Sequence, residues 1–585
     1  MGLLRDGRFQ GYNFQSFQKD LISGFIVGIV AIPLGMAFAI ASGVKPEYGL
    51  YSTIIAGILI SLLGGSRYQI GGPTGAFIPI LFGIVMQYGY ENLLLAGMMA
   101  GVMLILMGAF RLGGVIKYIP RPVTIGFTTG IAVIIFTGQI GNLLGLEDVE
   151  RHEAFIANMA EIAVHLPTLN PYSLLTAGIC FVSILITQKL LPKFPASLFG
   201  LLIASGAAYL FFPDKVATIG STYGGIPTSL PAVQMPQITW DRIEMLLVPA
   251  FAIAMLGGIE SLLSAVVADG MTGGRHDSNK ELIGQGIANV VTPLFGGIPA
   301  TGAIARTATN IRSGAVSPLS GVIHGVVVLL VLLIFAPLAS NIPLSAMAPI
   351  LMIVAWNMSE RKEFAHIIRT KTADSLVMVV TFLLTVFTSL TTAVPAGIVL
   401  SVIIFVKRMS EMMTIAKVLP DHNDRNHKVS PISEGEHRNC PQISIYTIEG
   451  PLFFGVANMF EKSIMKGIQL KPKVLILRMG NVPYMDTTGE ANLASLVRHF
   501  QKNGGTVVLS EIKDQPLRLL RKTGLLKTIG EEHVFRTTGE AINYSLTKLD
   551  PARCAGCRHL AFQECGTLSA APAEPVASST AIPHL

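Results

Sequence analysis

Apolar runs separated by short polar breaks dominate the chain up to about residue 413. Stretches 21–43, 92–110, 123–144, 171–191, 246–268 and 317–337 approach or exceed the ~20 apolar residues that carry a helix across a bilayer. The run 374–406 is long enough for two crossings. From about 414 the pattern changes, with more charge, shorter apolar runs and a polar stretch "VLPDHNDRNHKVSPISEGEHRNC" at 418–440. Beyond it "QISIYTI" (442–448), "VLILRM" (474–479) and "TVVLS" (506–510) read as buried strands, and 489–503 and 515–523 as helices. This predicts a polytopic α-helical membrane protein with an α/β domain behind it. The expected divisions are an N-terminal segment 1–20, a transmembrane domain 21–413, a linker 414–439, the α/β domain 440–550 and a tail 551–585. The tail ends in Ala/Pro/Ser-rich sequence and is expected to be disordered.

Composition supports the membrane reading and gives it an orientation. Only 14% of the 585 residues are charged, and mean hydropathy is +0.57. The net charge of +7 reflects topology rather than nucleic-acid binding, because the basic residues gather in particular loops. Arg111, Lys117 and Arg121 form one group and Lys189 and Lys193 another; Arg361, Lys362, Arg369 and Lys371 form a third, and Lys407 and Arg408 a fourth. The positive-inside rule puts these in the cytoplasm, and the acidic 145–170 loop on the other side. An even number of segments then leaves both termini cytoplasmic. No cleavable secretory signal is expected, since the first apolar segment is long and leads straight into others. The five cysteines, with Cys180 alone in a predicted span, form no disulfide framework.

One motif occurs twice. Residues 64–77 read "GGSRYQIGGPTGAF" and residues 296–304 read "GGIPATGAI". About seven membrane segments separate the two starts, and an odd number inverts the second copy, as in secondary transporters built from inverted repeats. A helix from Ala300 to Ser313 would reach only roughly 21 Å, short of the ~30 Å hydrocarbon core. The same holds from Pro73 to about Met86. Two half-helices starting near midplane would aim unpaired N–H groups at an anion, with Pro73 in a first turn. Packing of small residues between helices is the other account of these glycines and threonines.

These segments, together with "IPLGMAFAIASGVKPEYGLYS" (32–52), resemble the sulfate permease family of anion transporters. The soluble domain resembles the STAS domain that follows the transporter in that family. Within the family, "AMLGGIESLLSAVVADGMTGGRHDSNKELIGQG" (254–286) and "LMIVAWNMSE" (351–360) look most like the bacterial aerobic C4-dicarboxylic acid transporter. The resemblance implies about fourteen segments in a 7+7 inverted repeat, core and gate domains, elevator-like motion and a homodimer. It implies anion binding between the third and tenth segments. Ala76, Phe77, Ala303, Ile304 and Ala305 would contribute mainly backbone N–H groups, and Phe38 matches a position lining the anion site. One aromatic in a membrane helix also serves packing alone.

Arg306 lies seven residues after Pro299. A midplane charge costs about 2.5–3.5 kcal/mol on insertion scales, so it needs a cavity or a partner. The reading is a fixed cation beside the substrate, able to bind a carboxylate or sulfate in bidentate fashion; pairing with Glu260 is the structural alternative. Glu260 is an isolated acid in an apolar span. Burial disfavours its charged form, which suits it to accept a proton together with the substrate. The resemblance adds that relatives with aspartate here can use sodium. Asp269, half a turn round the helix, reads as a helix-terminal polar group.

In the soluble domain "YMDTTGE" (484–490) resembles an anti-sigma antagonist loop in which Thr488 would be the phosphorylated hydroxyl. The residues themselves read as a helix cap by Asp486. "CAGCRHLAFQEC" brings Cys554, Cys557, His559 and Cys565 together; they could hold zinc, or lie in a reduced, unstructured tail. No nucleophile–base arrangement or phosphate loop points to an enzyme, and no cofactor is expected. The resulting expectation is a bacterial inner-membrane secondary transporter taking up C4-dicarboxylates such as succinate, fumarate or aspartate with protons. A sulfate or bicarbonate transporter is the alternative within the family. A passive anion channel, and a sensor signalling through a cytoplasmic partner of the soluble domain, are alternatives from other classes.

Overall fold

The structure is a computed structural model; it describes residues 7–9, 11–114, 119–190, 195–228, 233–388, 390–420, 429–431, 440–454, 472–562 and 564–570. Lys117 and Lys193 lie outside the described residues, as does most of the expected linker. The chain divides into two compact units, residues 1–401 and 402–585.

The first unit is helical. In chain order the helices long enough to matter for crossing are α1 (Phe14–Ala41), α2 (Pro46–Leu63), α3 (Ile78–Tyr88), α4 (Tyr90–Ala109), α5 (Arg121–Gly138), α6 (Pro171–Leu190) and α7 (Ala196–Phe211). Then follow α8 (Trp240–Thr272), α9 (Ser278–Val291), α10 (Ile304–Arg312), α11 (Leu319–Ala339), α12 (Leu344–Met358), α13 (Ala373–Phe387) and α14 (Leu390–Glu411), which ends beyond the unit boundary. Among the described residues 8 helices are long and apolar enough to cross a bilayer unaided. The others are shorter, and α3 and α10 are the half-helices of the repeated motif.

The packing obeys the repeat. Helix α4 packs on α9, and α11 on α2; α1 packs on α11, and α8 on α4; α5 packs on α13, and α12 on α6. Each second pair is the first with seven added to, or subtracted from, both helix numbers. The surface helices Phe155–Val164 and Arg361–Thr370 keep the same relation, one between α5 and α6, the other between α12 and α13. An inverted 7+7 architecture is therefore present in the packing as well as in the motif. Helices α1–α4 and α8–α11 form one group around the half-helices, and α5–α7, α12 and α13 another.

The helical start differs from expectation. α1 begins at Phe14, where Asn13 caps it by accepting from Ser16 N at 2.9 Å. Asp20, expected in a polar N-terminal segment, is fully buried. It accepts bonds from Val316 N at 2.7 Å and from the Ser317 hydroxyl at 2.6 Å, so these two donors offset its desolvation.

The second unit is a six-stranded sheet with order β4-β3-β5-β6-β7-β8. Its strands are β3 (Thr414–Pro420), β4 (Val429–Pro431), β5 (Ile443–Glu449), β6 (Val474–Asn481), β7 (Thr506–Ser510) and β8 (Val534–Phe535). Strands β5 to β8 run parallel, while β3 is antiparallel to both β4 and β5. The three strands read from sequence are β5, β6 and β7, whose residues are buried almost throughout, as a sheet covered on both faces requires. The main helices are α15 (Thr487–Lys502), α16 (Asp514–Thr523) and α17 (Thr538–Leu546). Two corrections arise here. Residues 414–420, expected in a linker, form β3, because Thr414–Val418 finds backbone partners on β5. The tail is ordered in its described part, with short helices Pro551–Cys554 and Cys565–Ala570, because Ala561 and Phe562 bury against the sheet domain.

Candidate functional site between two half-helices

The two copies of the motif meet as backbone. Gly71–Gly72 (β1) and Thr301–Gly302 (β2) pair antiparallel, with Gly71 opposite Gly302 and Gly72 opposite Thr301. Side chains would prevent this approach. A Cβ on Gly72 would stand 2.5 Å from Arg306 Nη1, and one on Gly302 would overlap the Gln69 amide. Gly72 also has φ +149°, which L side chains rarely adopt.

The half-helices therefore start later than expected. Pro73 and Ala300 belong to the extended crossing, not to a first helical turn. The first half-helix opens as a 3₁₀ turn at Gly75–Phe77 and continues as α3, and the second is α10. At nine residues, α10 reaches only roughly 14 Å. Neither Thr74 nor Ala303, the residues preceding the two starts, makes a side-chain cap. This leaves the first-turn N–H groups, among them those of Gly75, Ala76, Ile304 and Ala305, available at one place.

The candidate side chains separate around this crossing. Arg306 is buried, and its Nη2 donates to the carbonyl of Pro73 in the opposite copy. Its Nη1 has no hydrogen-bond partner among the described residues. Glu260, on α8, accepts a bond of 2.8 Å from the hydroxyl of Thr74. Among the described residues no ion pair joins Arg306 to Glu260. Instead the cation holds Pro73 and the acid holds Thr74, so the two charges grip adjacent residues of one extended segment. Bidentate capture of an anion by Arg306 does not suit this arrangement, because one nitrogen is engaged and the residue is 3% exposed.

The remaining positions fall into two sets. Ile304, at 38% exposed, and Ala305 stand open at the start of α10. Phe38 reaches the start of the other half-helix, its ring 3.7 Å from where a Cβ on Gly75 would lie, beside Ile135 and Met358. Phe77 and Ala303 point elsewhere. Phe77 packs against Gly257 of α8, and the Ala303 N–H already donates to the Ile70 carbonyl at 2.8 Å. Asp269 is a helix-terminal group, its carboxylate accepting from His276 Nδ1 at 2.7 Å.

A polar scaffold behind the crossing escaped the sequence reading. Glu281, Gln285 and Asn289 lie at i, i+4 and i+8 along α9, all fully or almost fully buried. Glu281 accepts from Gly65 N at 2.7 Å and Ser66 N at 2.9 Å, which secures the first copy. Asn289 exchanges two bonds with the backbone of Ala300, at 2.9 Å and 2.8 Å, which secures the second, and Gln285 also donates to Ala300. Gln69 reaches this row through Ser261 at 2.7 Å. The spacing of the three polar residues on an otherwise small and apolar helix was the available signal. Thr74 was legible too, as the one hydroxyl inside Pro-Thr-Gly-Ala.

In the soluble unit Asp486 caps α15, accepting from Gly489 N at 2.8 Å and also from Phe454 N at 3.1 Å. Thr488 is exposed in the first turn, beside Thr487. Asp486→Ala is expected to lower the stability of this unit by about 1 kcal/mol, the usual worth of an N-cap. Thr488→Ala is expected to stay within about 0.5 kcal/mol. The soluble unit's transition in calorimetry of the full chain measures both; equal shifts would remove the capping account.

A helical membrane unit built from an inverted repeat, with two half-helices meeting at their N-termini, defines a multi-pass anion transporter of the core-and-gate kind. Residues 17–381 match the model of the sulfate permease family and residues 436–541 that of the STAS domain, and the chain belongs to that family. It is 59% identical to YvdB of Bacillus subtilis, whose name assigns it provisionally to sulfate transport, over 90% of this chain and 98% of that protein. It is 30% identical to the bicarbonate transporter BicA of Synechocystis, over 92% and 96%. Murine Slc26a9, an anion transporter solved facing inward, has the same fold at a TM-score of 0.83 and 18% identity, covering 93% of each chain. The family expectation is thus met. The likeness to C4-dicarboxylate transporters is not: the relatives are named for sulfate and bicarbonate, which favours the alternative substrate reading.

Proposed function

We propose that this chain is a proton-driven secondary transporter of a compact inorganic anion, sulfate first and bicarbonate second. The observation that carries the reading is the pair of uncapped helix starts held together by the β1–β2 crossing. Their N–H groups and dipoles favour negative charge, and Arg306 adds a fixed positive charge behind them. Phe38, Ala76, Ile304 and Ala305 bring no side-chain donor, so recognition would rest on charge and size, which suits a small anion. The name of the 59% identical relative favours sulfate over bicarbonate.

Glu260 is the coupling group in this reading. Its carboxyl sits within one hydrogen bond of Thr74, next to the anion-facing N–H of Gly75, so its charge and the substrate's oppose each other. Taking up a proton relieves that repulsion and ties proton binding to anion binding. In the elevator-like motion we infer, α1–α4 and α8–α11 carry the site past the other group. Both termini lie in the cytoplasm on this reading. The basic groups at 111–121, 189–193, 361–371 and 407–408 follow α4, α6, α12 and α14, all even-numbered, while the acidic 145–170 loop follows α5.

The test is uptake of radiolabelled sulfate into proteoliposomes, with and without an inward proton gradient, alongside bicarbonate and succinate. Saturable sulfate accumulation above equilibrium that collapses with a protonophore is expected. Accumulation of succinate but not sulfate would overturn the substrate. Flux that never exceeds equilibrium under any ion gradient would indicate a channel.

A further inference from the structure

The described tail docks on the soluble unit at one spot, and that spot is rich in thiols. Cys440 lies just ahead of β5, and Cys554, Cys557 and Cys565 lie in the tail more than a hundred residues later. All four, with His559, line one cavity of about 20 Å³. That volume holds roughly one water-sized guest. The Gln442 side chain fastens the base of the tail by accepting from Asp550 N at 2.9 Å and donating to the Asp550 carbonyl at 3.2 Å. It also donates to Cys554 Sγ at 3.4 Å. Phe562 N donates to Cys565 Sγ at 3.4 Å. The Cys554–Cys557 turn closes with Cys557 N on the Cys554 carbonyl at 3.0 Å, and Gly556 between them takes φ +70°.

We propose that Cys440, Cys554, Cys557 and Cys565 form a structural zinc site that binds the tail to the start of β5. Four sulfurs converge from two distant chain segments, and a turn of the Cys-x-x-Cys kind supplies two of them, as in closed tetrahedral zinc sites. Backbone and side-chain N–H groups already point at two of the sulfurs, the outer-sphere support that metal thiolates use. Burial pushes the Cys440 and Cys554 thiols up, and so does their mutual crowding with Cys565 and Cys557. A divalent cation would reverse that penalty, because thiolate ligands need positive charge between them. The cavity admits a single ion and not an iron–sulfur cluster, which chooses between the two common partners of four thiolates. Among the described residues no three of these side chains already stand at ligating spacing. Each thiol can turn toward the cavity about its single χ1 bond. The site is distinct from the anion site and requires nothing of it.

The test is metal analysis of the full chain purified in detergent without chelators or added metal. About one zinc per chain is expected, as for a closed structural site. Cys440→Ser and Cys557→Ser should each lose most of it, while Cys180→Ser, in the membrane unit, should keep it. Because serine variants can misfold, the unaltered chain is also stripped and titrated with Co²⁺. An intense thiolate-to-cobalt charge-transfer band, abolished by stoichiometric zinc, is expected. Zinc should also protect these four cysteines from alkylation, read by peptide mass spectrometry. Iron in place of zinc, the absence of both metal and a cobalt band, or alkylation indifferent to zinc would each overturn the assignment.

Discussion

Arg306→Ala is expected to reduce sulfate uptake at least 30-fold, with little change in the amount of folded protein. The guanidinium donates to the Pro73 carbonyl across the β1–β2 crossing and is almost wholly buried. A hydrogen bond from a charged group is worth about 1.5–3 kcal/mol, or roughly tenfold to a hundredfold in an equilibrium. Its removal also takes the fixed positive charge from behind both helix starts, so anion binding and site geometry fail together. Arg306→Lys should recover part of the activity, since the charge returns but one ammonium cannot reproduce the planar fork. Thermal unfolding of the detergent-solubilised chain, with and without sulfate, separates the two roles. The expected outcome for Arg306→Ala is a folded protein whose transition sulfate no longer raises. An alanine variant that still shows a full sulfate-induced shift and uptake within about 3-fold of the parent would mean Arg306 only fills space.

Glu260→Gln is expected to abolish accumulation driven by a proton gradient while sparing exchange of labelled for unlabelled sulfate. Glutamine keeps the shape and an oxygen that can accept from the Thr74 hydroxyl, the contact made at 2.8 Å. It cannot gain or lose a proton. For one proton per anion, each pH unit of gradient is worth about 1.36 kcal/mol, a tenfold accumulation. The sign is definite. The carboxyl is loaded on the acidic side, where protonation removes a negative charge from beside the bound anion, and unloaded on the alkaline side. Uptake by the unaltered chain should therefore rise as the outer pH falls at constant inner pH, and the glutamine variant should be flat. A variant that still accumulates tenfold would remove Glu260 from the coupling step. Accumulation by the parent that follows a sodium gradient and ignores pH would replace the proton with sodium.

The two experiments probe residues that the sequence already singled out, although it left their partners open. Arg306 and Glu260 stood out because charge in an apolar span is costly, and that argument needs no coordinates. The choice between mutual pairing and separate partners depends on Pro73 and Thr74, which lie more than 180 residues away from either charge. The same distance hid the role of α9. Polar residues at i, i+4 and i+8 are visible in "ELIGQGIAN", but that they hold both copies of the repeat follows from where residues 65–66 and 300 come to rest. Phe77 shows the converse: its motif position suggested the site, while packing on Gly257 takes the side chain away. Likewise Thr414–Pro420 carries a local polarity that reads as linker, and only pairing with β5 makes it a strand.

The amino-acid sequence by itself determined the membrane class, the inverted repeat, the strands at the centre of the soluble sheet and the residues whose charge demands explanation. These depend on composition, period and spacing, which are local properties with free-energy consequences in water or lipid alone. Tertiary structure alone decided that the repeated glycines pair as backbone, that the half-helices start beyond Pro73 and Ala300, and that the two buried charges grip one segment without touching. It also brought Cys440 to a tail that seemed structureless. Each of these depends on contacts between positions far apart in the chain, whose free energy exists only once the intervening helices and strands have packed.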